Sequence, residues 1–334
     1  MSIEDFLSEW NNASPYVRVQ TSGSTGAPKP MLVEKCRMLA SARRTNDFLG
    51  LREGDTALLC MSLDYIAGKM MVVRALERGL RLVTVRPSGH PLQEPFPIAQ
   101  GDVLTFAAMV PLQVYNALQV AEERQRLRQI RHLLIGGGAI DDTLADSLRD
   151  FPYAVWSTYG MTETLSHIAL RRVNGPDASD WYTPFPSVSV RVSSEGCLVI
   201  DAPEVCGASL VTNDIAELVQ TDNGGGTRFR ILGRKDNVIC SGGIKIQAEE
   251  VERLLRPHLS VPYVITKRPD RKFGELVVLL TEGSADEARV VCETVLSGYL
   301  RPRAYVHVDR IPLTETGKPA RQQARRLAED QEMR

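Results

Sequence analysis

"TALLCMSL" (Thr56–Leu63), "YIAGKMMVVRALERG" (Tyr65–Gly79) and "RLVTVR" (Arg81–Arg86) follow one another almost without a break. A short apolar run, a stretch with apolar residues at helical spacing and a second apolar run form the pattern of a βαβ unit. The alternation continues through "VLTFAAM" (103–109), "PLQVYNALQVAEERQRLRQI" (111–130), "HLLIGG" (132–137) and "DDTLADSLRD" (141–150). "YAVWSTYG" (153–160) then runs into "MTETLSHIALRR" (161–172), whose start reads as a first helical turn. Repeated alternation with short breaks predicts right-handed βαβ units and a largely parallel sheet.

The texture changes on either side of this block. Beyond Pro184, "SVSVRVSSEGCLVI" alternates at period two across a Ser-Glu-Gly turn, and "RFRILG" follows the turn-rich "DNGGGT", which predicts antiparallel β structure. From about Lys235, "QAEEVERLLR" and "ADEARVVCETVLSGYL" read as helices, and "VPYVITK" and "ELVVLL" as strands. That is a compact α+β unit large enough to fold as a small domain. The 334 residues therefore divide into an N-terminal domain, 1–235, and a C-terminal domain, 236–334.

Composition narrows the function classes. With 43% hydrophobic and 24% charged residues the chain is globular, and its net charge of −1 gives no global field for nucleic acid or an anionic membrane. The six cysteines form no CxxC pair and have no histidine at zinc-finger spacing, so they read as reduced core thiols. "MSIEDFLSEW" lacks a basic and apolar leader, and no apolar run approaches membrane-spanning length. These features predict a cytoplasmic protein whose partners are small molecules.

North of the βαβ block lies "VQTSGSTGAPKPM" (Val19–Met31). A Gly/Ser/Thr-rich loop after a strand offers backbone N–H groups and hydroxyls to phosphate oxygens, and Lys29 adds a mobile positive charge. It is neither a Walker A loop, since no Gly-Lys-Ser/Thr ends it, nor a GxGxxG turn. Alone, it fits an ordinary polar surface loop equally well.

Its companions carry more. "TSGSTGAPKP" (21–30), "YGMTET" (159–164), "TNDIAEL" (212–218), "GRKDNVICSGGIKI" (233–246) and "PLTETGKPAR" (312–321) stand in one order along nearly the whole chain. Together they resemble the signature motifs of the acyl-adenylate-forming ligases, the superfamily of acyl-CoA synthetases, adenylation domains and luciferases. The resemblance implies that superfamily's α/β fold: a large N-terminal domain with parallel or mixed sheets and a small β part, and a mobile α+β C-terminal domain. It implies a two-step reaction with ATP, Mg2+, CoA and a carboxylic acid. Thr21, Ser22, Gly23, Ser24, Thr25, Gly26 and Lys29 would hold the outer phosphates of ATP. Tyr159 and Gly160 would lie against the adenine, Thr162 near the α-phosphate, and Glu163 on the magnesium ion. Gly137, Gly138 and Ala139 would let adenine and acyl group approach the backbone. Asp214 and Arg234 would hold the ribose, Asp236 would be the hinge, and Gly242, Gly243 and Lys245 would face CoA. Lys318 would bridge carboxylate, α-phosphate and ribose as charge develops.

Each residue has a plainer reading: Glu163 a helix-start glutamate, Asp214 an Asx-turn, Lys318 a polar tail. Their joint occurrence favours the chemistry, but not for Lys235 or Glu217, which read as surface charges. His167 is left between pocket lining and a satisfied interior histidine. Two departures stand out. Only about twenty residues precede the phosphate loop, so a sheet edge covered in relatives must be blunted or met by a second subunit, as in a homo-oligomer. Ser62-Leu63-Asp64-Tyr65 replaces the superfamily's Pro-Leu-Phe-His, putting Tyr65 where the acyl-pocket histidine stands. Within the superfamily, "LVTNDIAEL" and "FRILGRKDNVICSGGIKI" are most similar to the o-succinylbenzoate–CoA ligases of menaquinone synthesis. That implies an aromatic acid with a second carboxylate, for which Lys69, with Ser166 and His167 nearby, is the expected clamp. A CoA ligase for another aryl or acyl acid and a non-catalytic acyl-adenylate-binding homologue are the alternatives.

Overall fold

The computed structural model describes residues 1–20, 30–98, 102–221, 226–314 and 319–330. Helix α1 (Ile3–Asn11) is started by a capping box in which the Ser2 hydroxyl and Asp5 carboxylate accept each other's backbone N–H. Strands β1 (Tyr16–Gln20) and β2 (Pro30–Glu34) pair antiparallel, with Val17 opposite Val33 and both buried. Helix α2 (Lys35–Leu49) leads to β3 (Thr56–Leu59), α3 (Ile66–Arg78), β4 (Arg81–Thr84), β5 (Phe106–Met109), α4 (Pro111–Gln119), α5 (Ala121–Gln129), β6 (His132–Ile135), α6 (Asp142–Leu148), β7 (Ala154–Gly160), β8 (His167–Arg172) and β9 (Thr183–Pro184).

Strands β3 to β9 form a seven-stranded sheet in the order β4-β3-β5-β6-β7-β8-β9, separate from the β1–β2 pair. The pairs from β4 to β7 are parallel, as the alternating pattern predicts. Leu58, Ala107, Leu133, Ile135 and Val155 meet Val114, Ala117, Leu118, Leu127, Leu144 and Leu148 from the helices in one core.

The structure departs from the sequence pattern in two places. Residues 161–172 do not make the expected helix; after a single turn at Thr162–Thr164 the chain returns as β8, antiparallel to β7. Gly160 permits this, because a Cβ there would lie 2.3 Å from the Ser166 carbonyl oxygen. The four buried residues His167–Leu170 then cover the sheet continuously. Likewise, 111–130 is two helices, because Val120 is extended and the Arg124 Nε takes the Leu118 carbonyl at 2.8 Å, satisfying the end of α4.

The chain continues through β10 (Ser189–Val192), β11 (Cys197–Asp201), β12 (Leu210–Gln220) and β13 (Thr227–Arg234), ordered sequentially in a four-stranded sheet. Then come β14 (Val238–Ser241), β15 (Ile244–Gln247), α7 (Ala248–Leu255), β16 (Tyr263–Asp270), β17 (Gly274–Thr281), α8 (Ala285–Val295), β18 (Ala304–His307) and α9 (Arg321–Asp330). Here β17 is central, paired with β14, β16 and β18. Its Val277 and Leu279 face α7 and α8, whereas Leu276, Val278 and Leu280 join Ala324 and Ala328 of α9, so period-two alternation feeds two cores.

Two compact units result: 1–190 with 200–210 and 219–229, and 191–199 with 211–218 and 230–334. No described helix is long and apolar enough to cross a membrane. Cys60, Cys197 and Cys292 are buried as expected of core thiols, but Cys36 and Cys240 are exposed. Burial pushes the Cys60 thiol up to about 12.

Candidate functional site

In the first unit the ends of β6 and β7 place two motifs side by side. The parallel register sets Ile135 against Ser157, so the loop Gly136–Ala139 runs beside Thr158–Gly160. The approach is tight enough that a Cβ on Gly136 would sit 2.4 Å from the Thr158 Oγ1. Gly137 and Ala139 are exposed there. Tyr159 lies 5.8 Å from the Tyr182 ring and 5.1 Å from Phe229, which themselves stack at 5.4 Å. The Tyr182 hydroxyl is 2.7 Å from the Ser157 Oγ, fixing the far side of this aromatic platform.

The turn after Gly160 is held by Thr164, whose Oγ1 accepts from Met161 N and donates toward the Ser166 carbonyl at 2.8 Å. Leu165 adopts φ 65°, a backbone region that non-glycine residues rarely occupy and that concentrates at functional sites. Thr162 is buried and Glu163 exposed on this turn.

Behind the turn is a polar chain enclosed in apolar packing. Arg74 of α3, 2% exposed, donates from Nη2 to the Ser166 Oγ at 2.6 Å. Its Nη1 is 3.8 Å from the Met71 sulfur, and its Nε has no partner among the described residues. No carboxylate among the described residues pairs with it, and burial pushes the guanidinium down to about 10. His167 sits between the Ser166 Oγ, 3.3 Å from Nδ1, and the Thr45 Oγ1, 3.0 Å from Nε2. Burial, then Arg74 and Arg44, hold its pKa well below the usual 6.5, so the imidazole is neutral. It is thus both enclosed and hydrogen-bonded to the residue beside Arg74.

Lys69 departs from its expected role. It is neither a solvated lysine nor a free clamp: at 2% exposure it donates to the Arg18 carbonyl at 2.5 Å and lies 3.7 Å from the Glu9 carboxylate. The Phe6 ring lies 5.6 Å away. Its ammonium is engaged inside the protein, holding α1 and β1 onto α3. Tyr65 precedes the first turn of α3. Arg74 is the residue that sequence reading passed over. Its signal was a lone cation in "MMVVRAL", a helical stretch otherwise apolar from Met70 to Leu76.

In the second unit Asp214, buried on β12, accepts from the Arg234 Nη1 at 2.9 Å. Arg234 Nη2 is 3.7 Å from Asp236, which also accepts from Asn213 at 3.2 Å. Lys235 pairs with Glu195 and Glu217 with Arg230 at the surface. Gly242 and Gly243 form the two-residue turn joining β14 to β15, with φ 59° and 83°, and Lys245 is exposed on β15. Thr21, Ser22, Gly23, Ser24, Thr25, Gly26, Lys29 and Lys318 lie outside the described residues.

Comparison with known proteins agrees with this architecture. A family model described as "AMP-binding enzyme" matches residues 7–207. A 2-succinylbenzoate–CoA ligase of Bacillus cereus is 25% identical over 340 residues, covering 93% of this chain and 70% of its own length. That of Escherichia coli is 29% identical over 272 residues, covering 78% and 57%. Among solved structures, an acyl-CoA synthetase (AMP-forming)/AMP-acid ligase II-like protein from Dyadobacter fermentans shares 30% identity at a TM-score of 0.63, covering 99% of this chain and 93% of its own. The o-succinylbenzoate coenzyme A synthetase of Bacillus subtilis, solved with ATP and magnesium, shares the fold at a TM-score of 0.71 and 24% identity, covering 92% and 69%. The fold is therefore that of adenylate-forming ligases. On the match across 7–207, this chain is a member of the AMP-binding enzyme family.

Proposed function

We propose that this protein is an ATP-dependent acid–CoA ligase and that its acid is o-succinylbenzoate. The observation that carries the substrate assignment is Arg74: a buried guanidinium with, among the described residues, no partner for its Nε and no carboxylate, one hydrogen bond from the turn of the "YGMTET" motif. Enclosed charges call for a counter-charge, and a dicarboxylate has a second anion to offer after the first has reacted. Arg74 thus takes the part expected of Lys69, with Ser166 and His167 behind it.

The residues present fit the groups the reaction needs. Among the described residues no three His, Cys, Asp or Glu cluster as a metal cage. An exposed single carboxylate, Glu163, suits magnesium, which keeps several waters and phosphate oxygens. When bound, the ion would neutralise phosphate charge. The Tyr159 ring beside the Gly137–Ala139 loop offers the adenine an aromatic face, and Asp214 with Arg234 offers a diol both an acceptor and a donor.

The chemistry has two steps. The acid's carboxylate oxygen attacks the α-phosphorus of ATP, and the bond to the β-phosphate oxygen breaks to release pyrophosphate. The CoA sulfur then attacks the acyl carbon, and AMP leaves. Thr21 to Gly26 and Lys29 hold the departing phosphates, Thr162 steadies the α-phosphate, and Lys318 offsets the charge that develops. Asp236 is the hinge between domains 1–235 and 236–334, and Gly242, Gly243 and Lys245 form the CoA face. The test is a panel of carboxylic acids assayed for ATP-dependent pyrophosphate release and for CoA-thioester formation. o-Succinylbenzoate should give both products with the highest kcat/KM. Turnover of another acid alone overturns the substrate, and absence of both products with every acid overturns the enzyme.

A further inference from the structure

The hydrogen-bond chain behind the acid end of the site runs in one direction only. A guanidinium can only donate, so the Ser166 Oγ accepts from Arg74 at 2.6 Å. The Thr45 hydroxyl donates its single hydrogen to the Ser41 carbonyl at 3.2 Å, which leaves it an acceptor toward His167 Nε2 at 3.0 Å. Nε2 therefore carries the imidazole hydrogen. Because the ring is neutral, Nδ1 is bare and accepts the Ser166 hydroxyl hydrogen at 3.3 Å. Donation passes from Arg74 through Ser166, His167 and Thr45 to the Ser41 carbonyl, joining α3, the start of β8 and α2. The charged groups that act on the ring are Arg74 from α3 and Arg44 from α2, the latter 3.5 Å from Glu204; Phe185 packs 5.6 Å from the ring.

We propose that His167, neutral and protonated at Nε2, is a positioning residue for the substrate acid: it points the Ser166 hydroxyl away from Arg74, so that Ser166 accepts and Arg74 is held ready for a carboxylate. The inference rests on the reading of Arg74 as the partner of the substrate's second carboxylate. With the opposite tautomer Nδ1–H would donate to the Ser166 oxygen, the Ser166 hydroxyl hydrogen would lose its acceptor on the ring, and Thr45 would have to abandon Ser41 to donate to Nε2. The neutral ring is what lets a buried arginine lack a carboxylate and still be fixed in direction. A carboxylate in place of His167 would neutralise Arg74 internally and remove its attraction for substrate.

Two amide variants separate positioning from mere filling. His167→Asn puts an amide oxygen near the Nδ1 position, where it accepts from Ser166. His167→Gln reaches Thr45 but leaves Ser166 without that acceptor. With o-succinylbenzoate as the probe, the expected result is a KM for the acid raised about tenfold in His167→Gln, the size of one misaligned bond to a charged group. The KM for ATP should stay within about twofold, and His167→Asn should restore the acid KM to about twofold of wild type. The imidazole ¹⁵N spectrum of the wild-type protein should show Nε2–H with bare Nδ1 at neutral pH. An unchanged acid KM in His167→Gln, better rescue by Gln than by Asn, or an Nδ1–H signal overturns the inference. Arg74→Ala decides the reading beneath it: an acid KM unchanged in that variant removes Arg74 from substrate binding, whereas a raised one with a silent His167→Gln overturns the positioning role alone.

Discussion

Two cations on one helix have opposite surroundings. Lys69 and Arg74 are both 2% exposed on α3, yet Lys69 has Glu9 and the Arg18 carbonyl, whereas Arg74 has a hydroxyl, a thioether and an idle Nε. Next to them, His167 carries a pH dependence with a definite sign. Unfolded, its imidazole takes up a proton below about 6.5; folded, burial and two arginines keep it bare to much lower pH. The unfolded state therefore binds more protons in the window below 6.5. The stability contributed by His167 is complete above that pH and declines as pH falls through it, by up to ~1.4 kcal/mol per pH unit. Urea unfolding of wild type and His167→Asn at several pH values between 7 and 5 should show the wild-type advantage shrinking toward acid. A constant difference would mean that the ring titrates alike in the folded and unfolded states, and an advantage growing toward acid that it is charged in the fold.

Among the elements, the β7–β8 hairpin depends on one missing side chain. A Cβ on Gly160 would lie 2.3 Å from the Ser166 oxygen and 2.5 Å from the His167 Cα, both backbone atoms that cannot step aside alone. Gly160→Ala should lower unfolding stability by about 1–3 kcal/mol. Gly298→Ala, with nothing within 4 Å of the added carbon, should stay within about 0.5 kcal/mol in the same urea titration. This hairpin also marks where the sequence stops being legible. The parallel strands β3, β5 and β6 and the alternating β17 announce themselves because a single periodicity decides each. Residues 161–172 carry apolar positions compatible with either period, and the choice falls to Gly160 and the backward turn at Leu165, which are tertiary facts. For the same reason Val120 divides α4 from α5 invisibly, since the Arg124 bond to Leu118 is a matter of three-dimensional reach. In the site, Tyr159, Thr162 and Asp214 could be named as candidates in advance because each lies in a short contiguous motif that resembles a family signature. Arg74 showed in the sequence only as a lone cation in an apolar helical stretch, and what distinguishes it, the want of a carboxylate partner among the described residues, is a tertiary fact.

For the whole molecule, the proposed hinge yields a separation of half-reactions. Asp236 lies in the short turn 235–237, bound by Asn213 and near Arg234. Proline there fixes φ, so Asp236→Pro should slow thioester formation at least about tenfold and spare ATP–pyrophosphate exchange. Equal rates in wild type and variant for CoA transfer would move the hinge elsewhere. The buried Arg74 also bears on how the protein behaves without substrate. An enclosed cation with no counter-charge among the described residues works against the fold, and replacing buried charged groups by apolar residues of similar volume is often neutral or stabilising by about 1–4 kcal/mol. Arg74→Met should therefore melt no lower than wild type, while losing the rise in melting temperature that o-succinylbenzoate gives the wild-type protein. Thermostability screens run without the acid would then favour inert variants at this position, so a library selected for robustness alone would drift away from catalysis.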